Sequence, residues 1–356
     1  LKIIAPLAVF GVLLLMPTPA GLTPEGQKAL AIMSLTVIWW ATETLPNAVA
    51  GIVGMVLLVL TGAVPDTGDA LFGFSQPVVY FLVGILTLGL AVHRSGLAER
   101  MATFLIRFAV GSPRLLYMQM LFSFAALTFA LPSASTRGAI MVHVYEQVLN
   151  RWNIPAEHSL HKAIMMAMGS LNRLGSTALL AGGITPVVAS GLLGDFSWTQ
   201  WFVLMSVPFY ASLIFGGTLL YIFYHSGFRL DQTISSGRLT LGAIRSAEIQ
   251  AGAIVALTAL LWFTDFAHGL HPAVPALIAM ALILSPRIGL LSWTEFERDI
   301  GWSNFFVIAT SLSLAHALVT SGAAAWFSDS LVGSVTGLQN QPLLVLLALC
   351  VCFAVV

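Results

Sequence analysis

Long apolar runs follow one another along almost the whole chain, and the polar stretches between them are short. The longest polar stretch covers residues 226–247, which is far smaller than a soluble domain. A membrane-spanning helix needs about 20 mostly apolar residues. The pattern therefore predicts an all-α, polytopic membrane protein, with candidate spans at residues 4–18, 28–45, 48–64, 76–93, 115–131, 133–150, 163–191, 199–224, 249–266, 271–286, 302–319 and 342–356.

The composition excludes most other classes of protein. Hydrophobic residues make up 58% of the 356 residues and charged residues only 8%, whereas soluble domains carry about 25% charged residues. The net charge is zero, so the chain lacks the basic face that a nucleic-acid binder needs. The only cysteines, Cys350 and Cys352, share one apolar run, which excludes a disulfide scaffold and a zinc site. No nucleophile–base motif is visible, so we predict neither an enzyme nor a cofactor.

The two ends of the sequence predict a piece of a longer protein. The chain begins with Leu1 rather than Met, and it ends within the apolar run CVCFAVV. We expect residues 1–27 to hold a first transmembrane helix. The alternative is a signal peptide, formed by Lys2, the apolar stretch 3–16 and the Pro-Thr-Pro-Ala that follows it.

The distribution of Lys and Arg predicts that the N-terminus is cytoplasmic. If residues 115–150 form a re-entrant hairpin, twelve of the Lys and Arg residues in the loops lie on the inner side and only Lys28 lies on the outer side. Residues 225–248 then form a cytoplasmic loop. Residues 95–112 carry apolar side chains at helical spacing, which favours an amphipathic helix in the plane of the interface over an ordinary loop helix.

Two stretches of the chain match later stretches at nearly one offset. Residues 45–60 match residues 270–285 at an offset of 225, and residues 83–99 match residues 309–325 at 226. This favours an internal repeat, and the predicted topology makes the two repeats inverted. Inverted repeats with broken helices are typical of secondary transporters. The first repeat would cover residues 28–224, with scaffold helices at 28–93, the interfacial helix at 95–112, the hairpin at 115–150, a discontinuous helix at 163–191 and a helix at 199–224; the second would cover residues 249–356.

The densest polar cluster is LPSASTRG at residues 131–138. Pro132 ends the preceding helix, and Ser133 can cap the next one. The N-terminus of a helix carries partial positive charge and open N–H donors, which suit a carboxylate or a sulfate. Ser135, Thr136 and Arg137 add hydroxyls and a fixed cation. The alternative is a serine-capped hairpin whose Arg137 reaches water.

A second polar cluster covers residues 172–186, where NRLGST is followed by AGGITP. Glycine and proline in the middle of a span predict an unwound helix, whose free carbonyls can hold a cation. Such backbone is tolerated only inside protein or beside a cavity. Gly175, Ser176 and Thr177 are the candidate cation ligands. The alternative is close helix packing through small residues.

These stretches resemble the divalent anion/sodium symporter (DASS) family. WWATETLPNAV at residues 39–49 is similar to a tryptophan-rich stretch of that family, as are residues 75–102 and 302–326. PSASTRG at 132–138 occupies the place of the family's Pro-Ser-Asn-Thr-Ala-Arg-Gly hairpin tip, and GSTALLAGGITP at 175–186 that of its unwound, glycine-rich segment. The resemblance implies a homodimer in which a transport domain moves against a scaffold by an elevator motion, carrying a di- or tricarboxylate or sulfate, usually with sodium.

The resemblance also assigns residues to the site. The substrate contacts would be Ser133, Ala134 and Ser135, with Thr185 and Pro186 flanking the substrate, and the first sodium site would include Ser133, Ala134 and Gly175. The chain departs from the family at Ala134, where the family has Asn, so one side-chain oxygen and one donor are absent. The repeat places a second hairpin tip near position 359, beyond the end of this sequence.

We therefore predict a secondary transporter of small divalent anions in a bacterial inner membrane. Its partners would be the anion, the lipid bilayer, a second copy of the chain and sodium as coupling ion, with no other metal. It would work as a sodium symporter or as an exchanger. The alternative has the same architecture but carries another inorganic or metalloid oxyanion without sodium.

Overall fold

The structure, a computed structural model, describes residues 4–106, 112–129, 131, 134–194, 196–229, 242–287, 289–334 and 344. Within these ranges the chain forms helices and no β-strand, which confirms the prediction of an all-α protein. The helices are α1 (Ile4–Leu15), α2 (Pro24–Thr42), α3 (Asn47–Leu60), α4 (Thr67–Ala70), α5 (Pro77–Ser95), α6 (Leu97–Ile106), α7 (Pro113–Thr128), α8 (Ala134–Arg151), α9 (Ser159–Ser170), α10 (Asn172–Thr177), α11 (Ile184–Leu193), α12 (Trp198–Phe223), α13 (Ser246–Phe263), α14 (Asp265–His268), α15 (Ala273–Ile283), α16 (Trp293–Asp299), α17 (Trp302–Thr320) and α18 (Ala323–Ser334), with 3₁₀ segments at Phe72–Ser75, Leu180–Gly182 and His225–Phe228.

Every predicted span except residues 342–356, which lie almost wholly outside the described residues, coincides with one or more helices. By length and composition, α5, α12, α13 and α17 are able to cross a membrane. Helix α13 begins at Ser246, three residues earlier than predicted. The reason is a capping contact, because the Glu248 carboxylate accepts a hydrogen bond from the backbone N–H of Arg245 at 3.1 Å.

The described residues divide into two compact units. One unit draws on residues 1–79 and 302–356 and contains α1–α4, α17 and α18, and the other draws on residues 80–301. These boundaries differ from the predicted repeat boundary at residues 225–248. Each unit contains helices from both predicted repeats, so the repeats are interleaved rather than folded as separate bodies.

Each unit contains a close crossing of two helices, and the residues at the two crossings correspond under the repeat offset. In the first unit, a side chain at Gly51 of α3 would collide with Thr310 of α17. In the second, a Cβ at Gly84 of α5 would lie 2.8 Å from the backbone of Ala276 of α15. Gly51 and Ala276 are 225 residues apart, and Gly84 and Thr310 are 226 apart. Under the repeat offset, Gly51 therefore corresponds to Ala276 and Thr310 corresponds to Gly84, so both crossings pair equivalent positions of the two repeats. This supports the internal repeat, while its inverted orientation stays a prediction.

Ion pairs connect helix ends in the second unit. Arg100 of α6 contacts Glu248 of α13 at 2.6 Å, and Arg94 at the end of α5 contacts Asp299 of α16 at 2.7 Å. Hydrogen bonds from Arg298, and then from Arg94, lower the pKa of Asp299 to about 2. Within the predicted interfacial segment 95–112, the structure forms helix α6, which the Arg100–Glu248 ion pair joins to α13. Its location at the membrane interface stays a prediction, and residues 107–111 lie outside the described residues.

Candidate functional site

The predicted hairpin at residues 115–150 consists of α7 and α8. Helix α7 begins after Ser112, with Pro113 at its first position. The Tyr145 hydroxyl of α8 donates to Gln119 Oε1 of α7 at 2.6 Å. This bond joins residues at similar distances from the tip, so the two arms run antiparallel. Helix α7 ends at Thr128 and α8 begins at Ala134; Pro132, which was predicted to end the first arm, lies outside the described residues.

The Arg137 side chain is fully buried beside the tip, with 0% of its surface exposed. Its Nη1 donates to the carbonyl of Leu131 at 2.8 Å. Its Nε donates to Asn172 Oδ1 at 2.7 Å, and its Nη2 donates to the Asn172 carbonyl at 3.2 Å. Arg137 therefore does not reach water, and the alternative of an arginine extended into solvent is wrong. It fastens the hairpin tip to the start of α10.

The Asn172 side chain completes this junction. Its Nδ2 donates to the carbonyl of Ala134, the first residue of α8, at 2.7 Å. Asn172 is itself 95% buried, and a Cβ at Gly138 would lie 3.1 Å from its Nδ2. One amide thus bridges the Arg137 guanidinium and the first turn of α8, which fixes the N-terminus of α8 against the second polar cluster.

The predicted discontinuous helix is broken as its sequence indicated. Helix α10 ends at Thr177, a 3₁₀ turn covers Leu180–Gly182, and α11 begins at Ile184. A side chain at Gly182 would collide with the carbonyl of Ser176 and would lie 3.1 Å from the methyl of Thr128, at the end of α7. Glycine is therefore required here for close approach, and the break lies against the hairpin tip.

Two further contacts hold the break in place. A Cβ at Gly175 would lie 2.9 Å from Phe124 of α7, so this glycine also permits close packing on the hairpin. From the other side, the indole N–H of Trp201 in α12 donates to the carbonyl of Thr177 at 3.1 Å. The structure thus brings together the two polar clusters that the sequence singled out.

The predicted substrate contacts fall on two helix N-termini. Ala134, Ser135 and Thr136 occupy the first turn of α8, and Thr185 and Pro186 occupy the first turn of α11. Thr185 is exposed and Pro186 is buried. Ser133 lies outside the described residues. Each N-terminus presents partial positive charge from its backbone N–H groups, although Pro186 has none to offer.

Three of the five predicted cation ligands, Gly175, Ser176 and Thr177, lie on α10, next to the break. Ser176 and Thr177 both donate their hydroxyl hydrogens to the carbonyl of Arg173, each at 2.8 Å. A hydroxyl oxygen that donates in this way keeps lone pairs with which it can accept a hydrogen bond or bind a cation. Ala134 offers only its backbone, since it has no side-chain oxygen.

The electrostatics of the junction favour an anion. The three hydrogen bonds that Arg137 forms with described residues all end on neutral oxygen atoms. Among the residues that the structure describes, no carboxylate forms an ion pair with it. A buried charge without a counter-charge is costly, and it raises the local positive potential, to which the two helix N-termini add.

Sequence reasoning missed two contacts of the candidate site. Asn172 was recognised as part of a polar cluster, but its role as the bridge to Arg137 was not. Trp201 was not singled out at all. A signal for Asn172 was available, because an arginine at membrane depth needs an acceptor. None was available for Trp201, which looks like any other aromatic residue at the start of a span.

The whole chain matches the model of a known protein family. A family model described as "Sodium:sulfate symporter transmembrane region" matches residues 1–356. This match confirms the resemblance to the DASS family.

Several bacterial proteins are similar over most of the chain. A Bacillus subtilis protein named as a malate transporter is 25% identical over 340 residues, which cover 90% of this chain and 70% of the relative. An L-tartrate/succinate antiporter of Escherichia coli K12 is 24% identical over 385 residues, covering 99% of this chain and 78% of the relative. A membrane protein of Cupriavidus necator is 23% identical, covering 92% of this chain and 69% of the relative.

Proposed function

We propose, because the chain belongs to the sodium:sulfate symporter family, that it is a secondary active transporter of small divalent anions. The family and the named relatives are transporters of anions rather than enzymes. The observation that carries the assignment of the site is the fully buried Arg137, whose described partners are all neutral. An anionic substrate beside it supplies the missing negative charge.

The substrate site comprises the first turns of α8 and α11, with Ser133, Ala134, Ser135, Thr136, Thr185 and Pro186 around the substrate. Backbone N–H groups at the two N-termini suit the oxygens of carboxylate groups. Two N-termini next to one break suit a molecule with two anionic ends, which is the chemistry of malate, tartrate and succinate named for the relatives. Arg137 acts on this substrate through its charge and through its hold on the tip.

Sodium is the coupling ion in this proposal. Its ligands are the hydroxyl oxygens of Ser176 and Thr177 and backbone carbonyls near Ser133, Ala134 and Gly175. Oxygen atoms are the ligands that hard cations prefer. The positive charge of the ion offsets part of the charge of the dianion, so the two ligands cross the membrane together. The family description itself names sodium.

The elevator motion, the homodimer and the cytoplasmic N-terminus are part of the proposal on the strength of the family resemblance. In this scheme the hairpin α7–α8, the broken helix α9–α11 and α12 carry the substrate across, and α2, α3 and α5 belong to the scaffold. The predicted second repeat would supply the matching half of the site. The membrane is a bacterial inner membrane, as the bacterial relatives suggest.

The alternative is an exchanger that works without sodium, for a dicarboxylate or for another oxyanion. Ala134 favours it, because the loss of a side-chain oxygen weakens the first sodium site. The antiporters among the relatives favour it as well.

Uptake into proteoliposomes separates these functions. The protein is reconstituted and supplied with labelled malate, succinate, tartrate or sulfate, with an inward sodium gradient or with unlabelled anion inside. The proposal predicts saturable uptake of a dicarboxylate that the sodium gradient drives. Uptake that needs internal anion but does not depend on sodium supports the exchanger. No flux of any of the four anions contradicts transport of a dicarboxylate or of sulfate by either mechanism, and leaves only another oxyanion as the substrate.

A further inference from the structure

An apolar groove of about 450 Å³ lies between the first arm of the hairpin, α7, and helix α12. Its floor is closed where the Tyr117 hydroxyl donates to the Gly217 carbonyl at 2.9 Å. Its walls consist almost entirely of carbon, and they include Met118, Phe122, Ala125, Tyr210, Ile214 and Tyr221. The rim residues Met118, Phe122 and Ile214 are each more than 60% exposed, so the groove opens to the medium around the protein.

If α12 spans the membrane, as its length and composition allow, most of its surface faces lipid. This 26-residue helix is one of those able to span a membrane, and little of it is buried. Its exposed residues next to the groove are large and apolar, such as Val207, Phe215 and Leu219. The groove is continuous with this surface, and an apolar channel open to the bilayer core is filled by hydrocarbon. An acyl chain is the occupant whose chemistry fits this apolar lining.

One end of the groove is basic. Arg114 is exposed and lies one helical turn before Met118, on the same face of α7 that lines the groove. The segment that follows α12 packs at this end, because the rings of Phe228 and Tyr117 are 5.2 Å apart. Arg229, also exposed, comes directly after that segment. Among the described residues, neither arginine forms an ion pair with an acid.

We propose that this groove binds one anionic phospholipid, with an acyl chain between α7 and α12 and the phosphate at Arg114. The apolar groove matches the acyl tail of such a lipid, and the basic end of the groove matches its negatively charged head group. A basic side chain near the membrane surface attracts an anionic lipid by electrostatics. Because α7 carries the hairpin tip, the lipid lies against the element that holds Arg137 and the candidate substrate site.

Native mass spectrometry of the delipidated full chain tests this. The protein is incubated with phosphatidylglycerol or with phosphatidylcholine of the same acyl chains, and the retained lipid is counted. Wild type retains phosphatidylglycerol in preference. Arg114→Gln lowers its retention about fivefold and leaves phosphatidylcholine unchanged. The matched control Arg151→Gln removes an exposed arginine at the end of α8 and changes neither.

A second pair of variants tests the groove itself. Ala125→Trp fills the groove and lowers the retention of both lipids, whereas Leu204→Trp, on the exposed face of α12 outside the groove, does not. If Ala125→Trp does not fold, Thr218→Phe narrows the groove from the other side. The proposal is overturned if Arg114→Gln retains phosphatidylglycerol like wild type, or if a folded groove variant keeps its lipid. It is also overturned if wild type shows no preference for phosphatidylglycerol.

Discussion

Replacing Asn172 with alanine removes the bridge between the hairpin tip and the broken helix. The Asn172 side chain accepts from Arg137 Nε at 2.7 Å and donates to the Ala134 carbonyl at 2.7 Å. Alanine keeps the helix-forming backbone and the Asn172 carbonyl that accepts from Arg137 Nη2. The substitution therefore removes two side-chain hydrogen bonds and leaves the charge of Arg137 in place.

The size of the effect follows from the two bonds. A hydrogen bond to a charged group contributes about 1.5–3 kcal/mol, and a neutral one about 0.5–1.5 kcal/mol. The site is buried, so water does not readily replace the lost partner of Arg137. We expect the free energy of unfolding to fall by about 2–4 kcal/mol. The apparent affinity for the anion should fall as well, because the first turn of α8 is no longer fixed.

Unfolding by denaturant in detergent measures the stability, and uptake into proteoliposomes measures the affinity. Asn150→Ala is the matched control, since Asn150 is exposed near the end of α8, far along the chain from the tip. It should change both quantities by less than about 0.5 kcal/mol. If Asn172→Ala unfolds no more easily than this control, the bridge does not hold the site together.

Three further predictions concern single positions. Gly182→Ala should lower the free energy of unfolding by about 1–3 kcal/mol because its Cβ would collide with the Ser176 carbonyl; Gly169→Ala, which has open space, should be neutral or stabilising, and equal losses in the two variants would contradict this reason. Ala134→Asn should strengthen the sodium dependence of uptake, and an unchanged sodium response would place the cation elsewhere. Because arginine partners hold the pKa of Asp299 at about 2, its contribution to stability is present above about pH 4 and is lost as the pH falls towards 2; in thermal unfolding between pH 5 and 2, Asp299→Asn should flatten this decline, and an unchanged slope would contradict it.

The local breaks of the chain could be predicted from the sequence because their causes are local. Pro132 cannot continue α7 whatever surrounds it, and Gly182 with Gly183 weakens any helix that contains them. The hairpin and the broken helix were therefore predicted within a few residues.

The partners of the site residues could not be predicted in this way. Arg137 and Asn172 are 35 residues apart, and only the packing of α8 on α10 brings them together. Arginine is rarely buried completely, so the sequence favoured either a substrate contact or an arginine in water, and not a bridge inside the protein. The division into two units was missed because it also depends on packing between helices that are far apart in the sequence.

Protection of cysteines by substrate tests most directly whether the hairpin tip and the broken helix form the anion site. With Cys350 and Cys352 replaced by alanine, single cysteines are placed at Ala134, at Thr185 or, as a control, at Asn150, and their labelling by a maleimide is timed. A transported dicarboxylate should slow labelling at Ala134→Cys and Thr185→Cys and leave Asn150→Cys unchanged. Equal labelling with and without the anion, in variants that still transport it, would contradict the site.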